Sequence, residues 1–173
     1  MRVLLDTNCA NVRGASPDLN IIERWGTEGR IDLRVAVAFE REARQWRGPR
    51  GASAQEKARA LRPIPQPMVF DLQGENSGGA FDSDDCYLDD RPGPRFDDVA
   101  RILFPSAVPK ALTGNQEQDV LHLLTAERAG GFFITNDNDS VGPYKRQALA
   151  QLGINVLRPA AFVAQMRAAY GWT

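Results

Sequence analysis

Four short apolar runs punctuate the chain: Arg2-Val3-Leu4-Leu5, Leu33 to Val37, Phe132-Phe133-Ile134-Thr135 and Ile154-Asn155-Val156-Leu157. Runs of this length read as strands, and the segments between them carry helical spacing. Ser16 is placed to cap a helix that Pro17 opens, with Ile21, Ile22 and Trp25 on one face and Gly26 or Gly29 at its end. A second helix runs through Glu40, Ala43 and Trp46 until Gly48-Pro49 breaks it. Asn115 is read as the cap of a helix reaching Glu127, stopped by Gly130-Gly131. Tyr144 to Leu152 forms another, and Pro159 opens a last one through Met166. Strands separated by helices require crossover connections, which imply a parallel sheet covered on both faces. The expected fold class is therefore α/β, three-layered, with Leu5, Val35, Ile134 and Val156 in adjacent or near-adjacent strands.

The middle of the chain departs from that alternation. Ser53 to Leu61 and Phe96 to Phe104 read as helices, while Gln73 to Pro94 is rich in Gly and Asp and reads as a long, poorly packed loop. With no internal repeat and no second apolar core, the 173 residues are expected to form one domain, 1–173, carrying an insertion at about 48–114. The 43% hydrophobic and 25% charged fractions are those of a globular protein. Nothing approaches the roughly 20 apolar residues of a membrane span, so no membrane partner is expected. Met1 to Thr7 lacks the apolar core of a signal peptide. Cys9 and Cys86 offer neither a disulfide framework nor zinc-ligand spacing, which makes a cytoplasmic location the expectation.

In open parallel sheets, ligands bind beyond the carboxyl ends of the strands. Acids fall at those places. Asp6 ends the first strand; Asp137 and Asp139 follow the third; Glu40 begins the helix after the second. Glu40 is preferred to Glu42, which lies two residues further along the helix and faces elsewhere. Carboxylates gathered in one place raise one another's pKa values unless a cation sits among them, and Mg²⁺ is commonly held by one or two of them with water and phosphate. Such an ion activates water for phosphodiester hydrolysis. The plainer account is dipole-favoured acids at helix starts and turn-forming Asp and Asn.

The residues in this order resemble a PIN-domain ribonuclease. Val3-Leu4-Leu5-Asp6-Thr7-Asn8 is similar to the opening of that family. Gln118-Asp119-Val120 through Ala126, then Gly130 and Phe133-Ile134-Thr135-Asn136-Asp137-Asn138-Asp139, is similar to its second half, and Leu152 to Leu157 to its last strand. The similarity covers roughly residues 1–47 and 115–165. It implies a PIN-like fold and an endoribonuclease dependent on Mg²⁺ or Mn²⁺. It further implies catalytic roles for Asp6, Glu40, Asp119 and Asp137, metal binding by Asp6, Asp119, Asp137 and Asp139, and support from Thr7, Asn8 and Thr135. The implied partners are RNA, an antitoxin protein if the chain is the toxin of a pair, and a second copy in a homodimer. The long insertion departs from the compact toxins of the family.

Formal net charge is −1, so no global basic field announces RNA. Between Arg41 and Arg62, however, seven basic residues face only Glu42 and Glu56. Arg41 and Arg44 are accordingly the candidate phosphate contacts, against the reading of a solvated helix face. The Asp-rich stretch from Asp71 to Asp98 reads as a solubilising surface loop, against the alternative of an autoinhibitory or partner-binding acidic loop. His122, the only histidine, sits among leucines and reads as core-edge or surface. No nucleophile elbow, P-loop or GxGxxG motif is present. A phosphatase of the haloacid dehalogenase type would need a second Asp where this chain has Asn8. A PIN-like module that binds RNA or protein without cleaving is the alternative from another class.

Overall fold

The computed structural model describes residues 1–10, 16–36, 39, 52, 55–57, 59–61, 63–64, 66–68, 86–88, 92–107 and 111–173. In chain order the elements are β1 (Arg2–Leu5), α1 (Thr7–Ala10), α2 (Pro17–Thr27), β2 (Asp32–Val35), β3 (Gln66–Met68), β4 (Cys86–Leu88), α3 (Pro92–Leu103), α4 (Gly114–Arg128), β5 (Phe132–Ile134), α5 (Pro143–Gln151), β6 (Asn155–Leu157) and α6 (Pro159–Tyr170).

All four expected strands are parallel neighbours, in the order β2-β1-β5-β6. Leu5 pairs with both Val35 and Ile134, and Phe133 pairs with Val156, so the strands end together at one edge. Beyond β2, Ile64 bridges Ala36 in the parallel sense, and its N–H donates to the Val35 carbonyl at 2.8 Å. β3 and β4 form a separate parallel pair.

Successive strand residues point to opposite faces, and both faces are dry. Val3, Leu5 and Ile134 enter a core with Trp25 of α2 and Phe162, Val163 and Met166 of α6. Leu4, Phe133 and Val156 enter the other, with Phe96 and Leu103 of α3, Leu121 of α4 and Leu149 of α5. Helices on both faces of a parallel sheet make this an α/β fold. Among the described residues, no helix is long and apolar enough to cross a membrane.

Local chemistry sets the boundaries. Ser16 caps α2, its Oγ accepting from the Leu19 N–H at 3.4 Å, with Pro17 in the first turn. The cap of α4 is Thr113 rather than Asn115. Thr113 Oγ1 accepts from the Gln116 N–H while Gln116 Oε1 accepts from the Thr113 N–H, a reciprocal box that places Asn115 inside the helix. β5 must pass close to β1: a Cβ on Gly131 would lie 2.4 Å from the Arg2 carbonyl oxygen.

The insertion contains more structure than its composition indicates. α3 starts at Pro92, four residues before the expected Phe96, because proline is tolerated in a first helical turn. Cys86–Leu88 is a strand inside the stretch read as loop, a correction to that expectation. Of Ser53 to Leu61, the described residues 55–57, 59 and 60 are helical as expected. The helix expected through Glu40 lies outside the described residues apart from Phe39.

Candidate functional site

β1 and β5 run side by side, so the residues that follow them meet at the carboxyl edge of the sheet. The Asp6 N–H donates to the Ile134 carbonyl at 2.9 Å, which extends the pairing and brings the Asp6 side chain against Thr135. Thr135 is fully buried and acts as a hub. Its hydroxyl donates to Asp6 Oδ2 at 2.5 Å and accepts from the Asp137 N–H at 2.9 Å and from Asn8 Nδ2 at 3.3 Å. Asn8 Oδ1 accepts from the Asn136 N–H at 3.1 Å, so one amide side chain ties the loop after β1 to the loop after β5. The remaining oxygen of Asp6, Oδ1, accepts from the Thr7 N–H at 2.7 Å.

The loop after β5 is held by Asp137. Its Oδ1 accepts from the N–H groups of Asp139 and Ser140, at 2.7 and 3.0 Å, closing an Asx-type turn. Arg146 of α5 reaches back to the Asp137 carbonyl and to Asn138 Oδ1, while Lys145 reaches the Asp139 and Ser140 carbonyls. Two cations therefore stand beside the acidic loop.

On the α4 side, His122 is buried and turns Nδ1 toward Asp6 Oδ1 at 4.0 Å. Its ring also packs on Phe133. Of the two sequence readings, core-edge or surface, burial excludes the surface one, and neither anticipated the carboxylate beside it.

The electrostatics of the two acids differ. Burial pushes the Asp6 carboxyl up. His122, the Thr135 hydroxyl and the Thr7 N–H pull against it, Asp137 adds to it, and burial prevails. For Asp137 burial also works against the charge, but hydrogen bonds from Ser140 and Asp139, with Lys145 nearby, prevail and hold its carboxyl below the usual range. Cys9 lies beneath Asp6, and burial together with that charge pushes its thiol up to about 12, so it stays an uncharged packing group rather than a nucleophile.

Thus Asp6, Thr7, Asn8, Thr135 and Asp137 gather at one place. Asp139 is exposed and contributes its N–H to the turn. Asp119 is half-buried in the second turn of α4, three residues before His122, and it makes interactions of its own. Glu40, Glu42, Arg41 and Arg44 lie outside the described residues. Among the described residues, no group of three or more His, Cys, Asp or Glu side chains is arranged to hold a metal ion.

Sequence reasoning named Thr7 here and weighed His122 as a packing residue, but did not single out Glu117, Gln118 or Arg146. Among the described residues, Thr7 Oγ1, Glu117 Oε2, Gln118 Oε1, His122 Nε2 and Arg146 Nε are buried without hydrogen-bond partners. Thr7 follows β1, three of the others share α4, and Arg146 belongs to the helix after β5. Glu117 is 3% exposed, and burial pushes its carboxyl up. One signal was legible. Gln118 and His122 stand four apart on a helix and so share a face.

No family model, curated protein or solved structure matches the chain.

Proposed function

We propose that this chain is a metal-dependent endoribonuclease of the PIN-like kind, hydrolysing RNA phosphodiester bonds with Mg²⁺ or Mn²⁺ held around Asp6. One observation carries the reading. A part-buried carboxylate at the carboxyl edge of a parallel sheet has its pKa pushed up, and among the described residues buried oxygen and nitrogen atoms on the neighbouring elements lack partners. Unpartnered buried polar atoms imply water, an ion or a ligand. A cation there would relieve the Asp6 charge, and the oxygens of Thr7 and Gln118 suit a hydrated hard ion.

Asp6 is the central donor in this reading, with Asp119, Asp137 and Asp139 contributing directly or through water, and Glu40 as the further acid. Thr135 and Asn8 orient the acids instead of touching substrate. Lys145 and Arg146, with Arg41 and Arg44, counter the phosphate charge. A bound divalent ion supplies Lewis-acid polarisation of the phosphate and lowers the pKa of the attacking water.

The test is RNA cleavage in Mn²⁺ and Mg²⁺ by the wild type, Asp6→Asn, Asp119→Asn and Asp137→Asn. Cleavage should require the ion and fall below detection in Asp6→Asn. Wild-type rates in all three variants would overturn the assignment. A second reading, a PIN-like binding module without activity, draws on the commitment of Asp137 Oδ1 to its own turn. RNA binding with no Mn²⁺ uptake by calorimetry would favour it. If the chain is the toxin of a pair, an antitoxin should co-purify with it and suppress the cleavage.

A further inference from the structure

Two arginines flank the loop after β5, and no acid neutralises them. The Thr135 N–H donates to the Leu157 carbonyl at 3.1 Å, so Arg158, the next residue after β6, stands at the same carboxyl edge as Asp6 and Asp137. Arg158 is exposed, and the first turn of α6 that follows it holds no acid. Arg146 approaches from α5 and bonds neutral oxygens, the Asp137 carbonyl at 3.1 Å and Asn138 Oδ1 at 3.3 Å. Its Nε is buried and has no partner among the described residues. Among those residues, no ion pair joins a carboxylate to either arginine. Burial and the neighbouring Arg158 charge hold the Arg146 guanidinium below its usual range, against the pull of Asp137.

We propose that Arg146 and Arg158 together take one backbone phosphate of single-stranded RNA, on the β6 side of the site. This rests on the ribonuclease reading above for the identity of the ligand. It adds Arg158, which lies outside both the acidic set and the basic run from Arg41 to Arg62. Like charges gathered without a counter-charge repel, and an anion between them removes the repulsion. The planar fork of guanidinium donors matches phosphate oxygens, and the leftover Arg146 Nε–H is a donor in want of an acceptor. The Asp6 and Arg158 backbones are two strand spacings apart, about 10 Å, which suits a phosphate further along the strand from the one at Asp6. Tyr144, in the first turn of α5, is 84% exposed and offers an uncovered ring to a base. That ring favours a nucleic acid over a free phosphate.

The experiment is fluorescence anisotropy of a labelled short oligouridylate with the full chain in EDTA, where metal-dependent cleavage cannot intervene, over a series of KCl concentrations. Arg158→Gln should lose roughly 10-fold in affinity. The slope of log K against log salt should flatten by about 0.7, the value for one phosphate contact on a single strand. Arg158→Lys should keep the slope and lose part of the affinity. Tyr144→Ala should weaken binding with the slope unchanged. Wild-type affinity and slope in Arg158→Gln would overturn the proposal, and Mn²⁺-dependent cleavage by the same chain would leave the ribonuclease reading standing. A slope lost in Arg158→Gln, in a chain that cleaves nothing, would keep the phosphate site and remove the ribonuclease. Inorganic phosphate that binds the wild type but not Arg158→Gln, with Tyr144→Ala binding the oligonucleotide normally, would assign the pair to a free anion and overturn the RNA claim. In wild type alone, the Arg146 Nε–H resonance should move on adding the oligonucleotide; an unmoved resonance would sink the pairing even if Arg158→Gln fails to fold.

Discussion

Asp6 and Asp137 are both carboxylates at the same sheet edge, yet folding treats their charges in opposite ways, and that difference can be measured. The folded chain holds the Asp6 proton to higher pH than the unfolded chain, so stability falls as pH rises from the ordinary value of 3.8 through the raised one. Metal-free Asp6→Asn should therefore be more stable than wild type at pH 7, and that advantage should vanish below about pH 3.8 in urea denaturation. Asp137 behaves in reverse. Its contribution is present above the unfolded value and is lost as pH falls through the lowered folded one. Asp137→Ala should be less stable than wild type at pH 7, with the deficit shrinking in acid; equal stability at both pH values would show that the Asx turn contributes nothing. Thr135→Val removes the donor to Asp6 and the acceptor for the Asp137 N–H, leaving part-buried groups unpaired at a loss of about 1–3 kcal/mol. On the proposed metal-dependent reading, addition of Mn²⁺ should reverse the order of wild type and Asp6→Asn in thermal melts, since only the former would gain from binding.

At the scale of elements, what the sequence disclosed depended on whether a local rule acted alone. The strands around Leu5, Ile134 and Val156 were legible because they are apolar between clear stops. Gly29 and Gly153, at φ 73° and 82°, follow α2 and α5 as expected of left-handed residues after helices. The start of α4 was misplaced because Asn115 is a good capping residue, although Thr113 with Gln116 three residues on carries the stronger reciprocal pattern. β4 was missed because Cys86-Tyr87-Leu88 is three residues long in an Asp-rich stretch, where periodicity has no room to register. His122 was read from its helix neighbours alone, and the carboxylate that gives it meaning is 116 positions away in the chain. Two substitutions test these elements. Thr113→Ala should destabilise the chain by about 1 kcal/mol through the lost cap. Gly131→Ala should do so by about 1–3 kcal/mol, since its Cβ would meet the Arg2 carbonyl and push β5 away from β1. The second should also weaken Mn²⁺ binding, because β5 carries Thr135 and Asp137 into place; the first should leave it near wild type.

For the molecule as a whole, β1 is the shared wall of two cores, with Leu5 on the α2–α6 side and Leu4 on the α3–α4–α5 side. Leu4→Ala and Leu5→Ala should each cost about 2–5 kcal/mol, and only Leu4 packs in the core that α4 closes over. Tryptophan fluorescence should register Leu5→Ala earlier in denaturation than Leu4→Ala, because Trp25 lies in the Leu5 core. The hydroxyl of Thr135 joins residues 129 positions apart when it bonds Asp6, which has a bearing on the order of folding. β1 finds β2 about 30 residues later, a short loop to close, but on its other side Val3 pairs with Phe132, 129 positions away. Contacts so distant in sequence form late, because closure entropy must be met before they contribute. During synthesis, Asp6 emerges 129 positions before the Thr135 that holds it. A ribosome-bound nascent chain halted before Phe132 should therefore take up no Mn²⁺ at Asp6. In the proposed ribonuclease, the surroundings of Asp6 are thus completed only once Thr135 has been made, 129 positions after the acid itself.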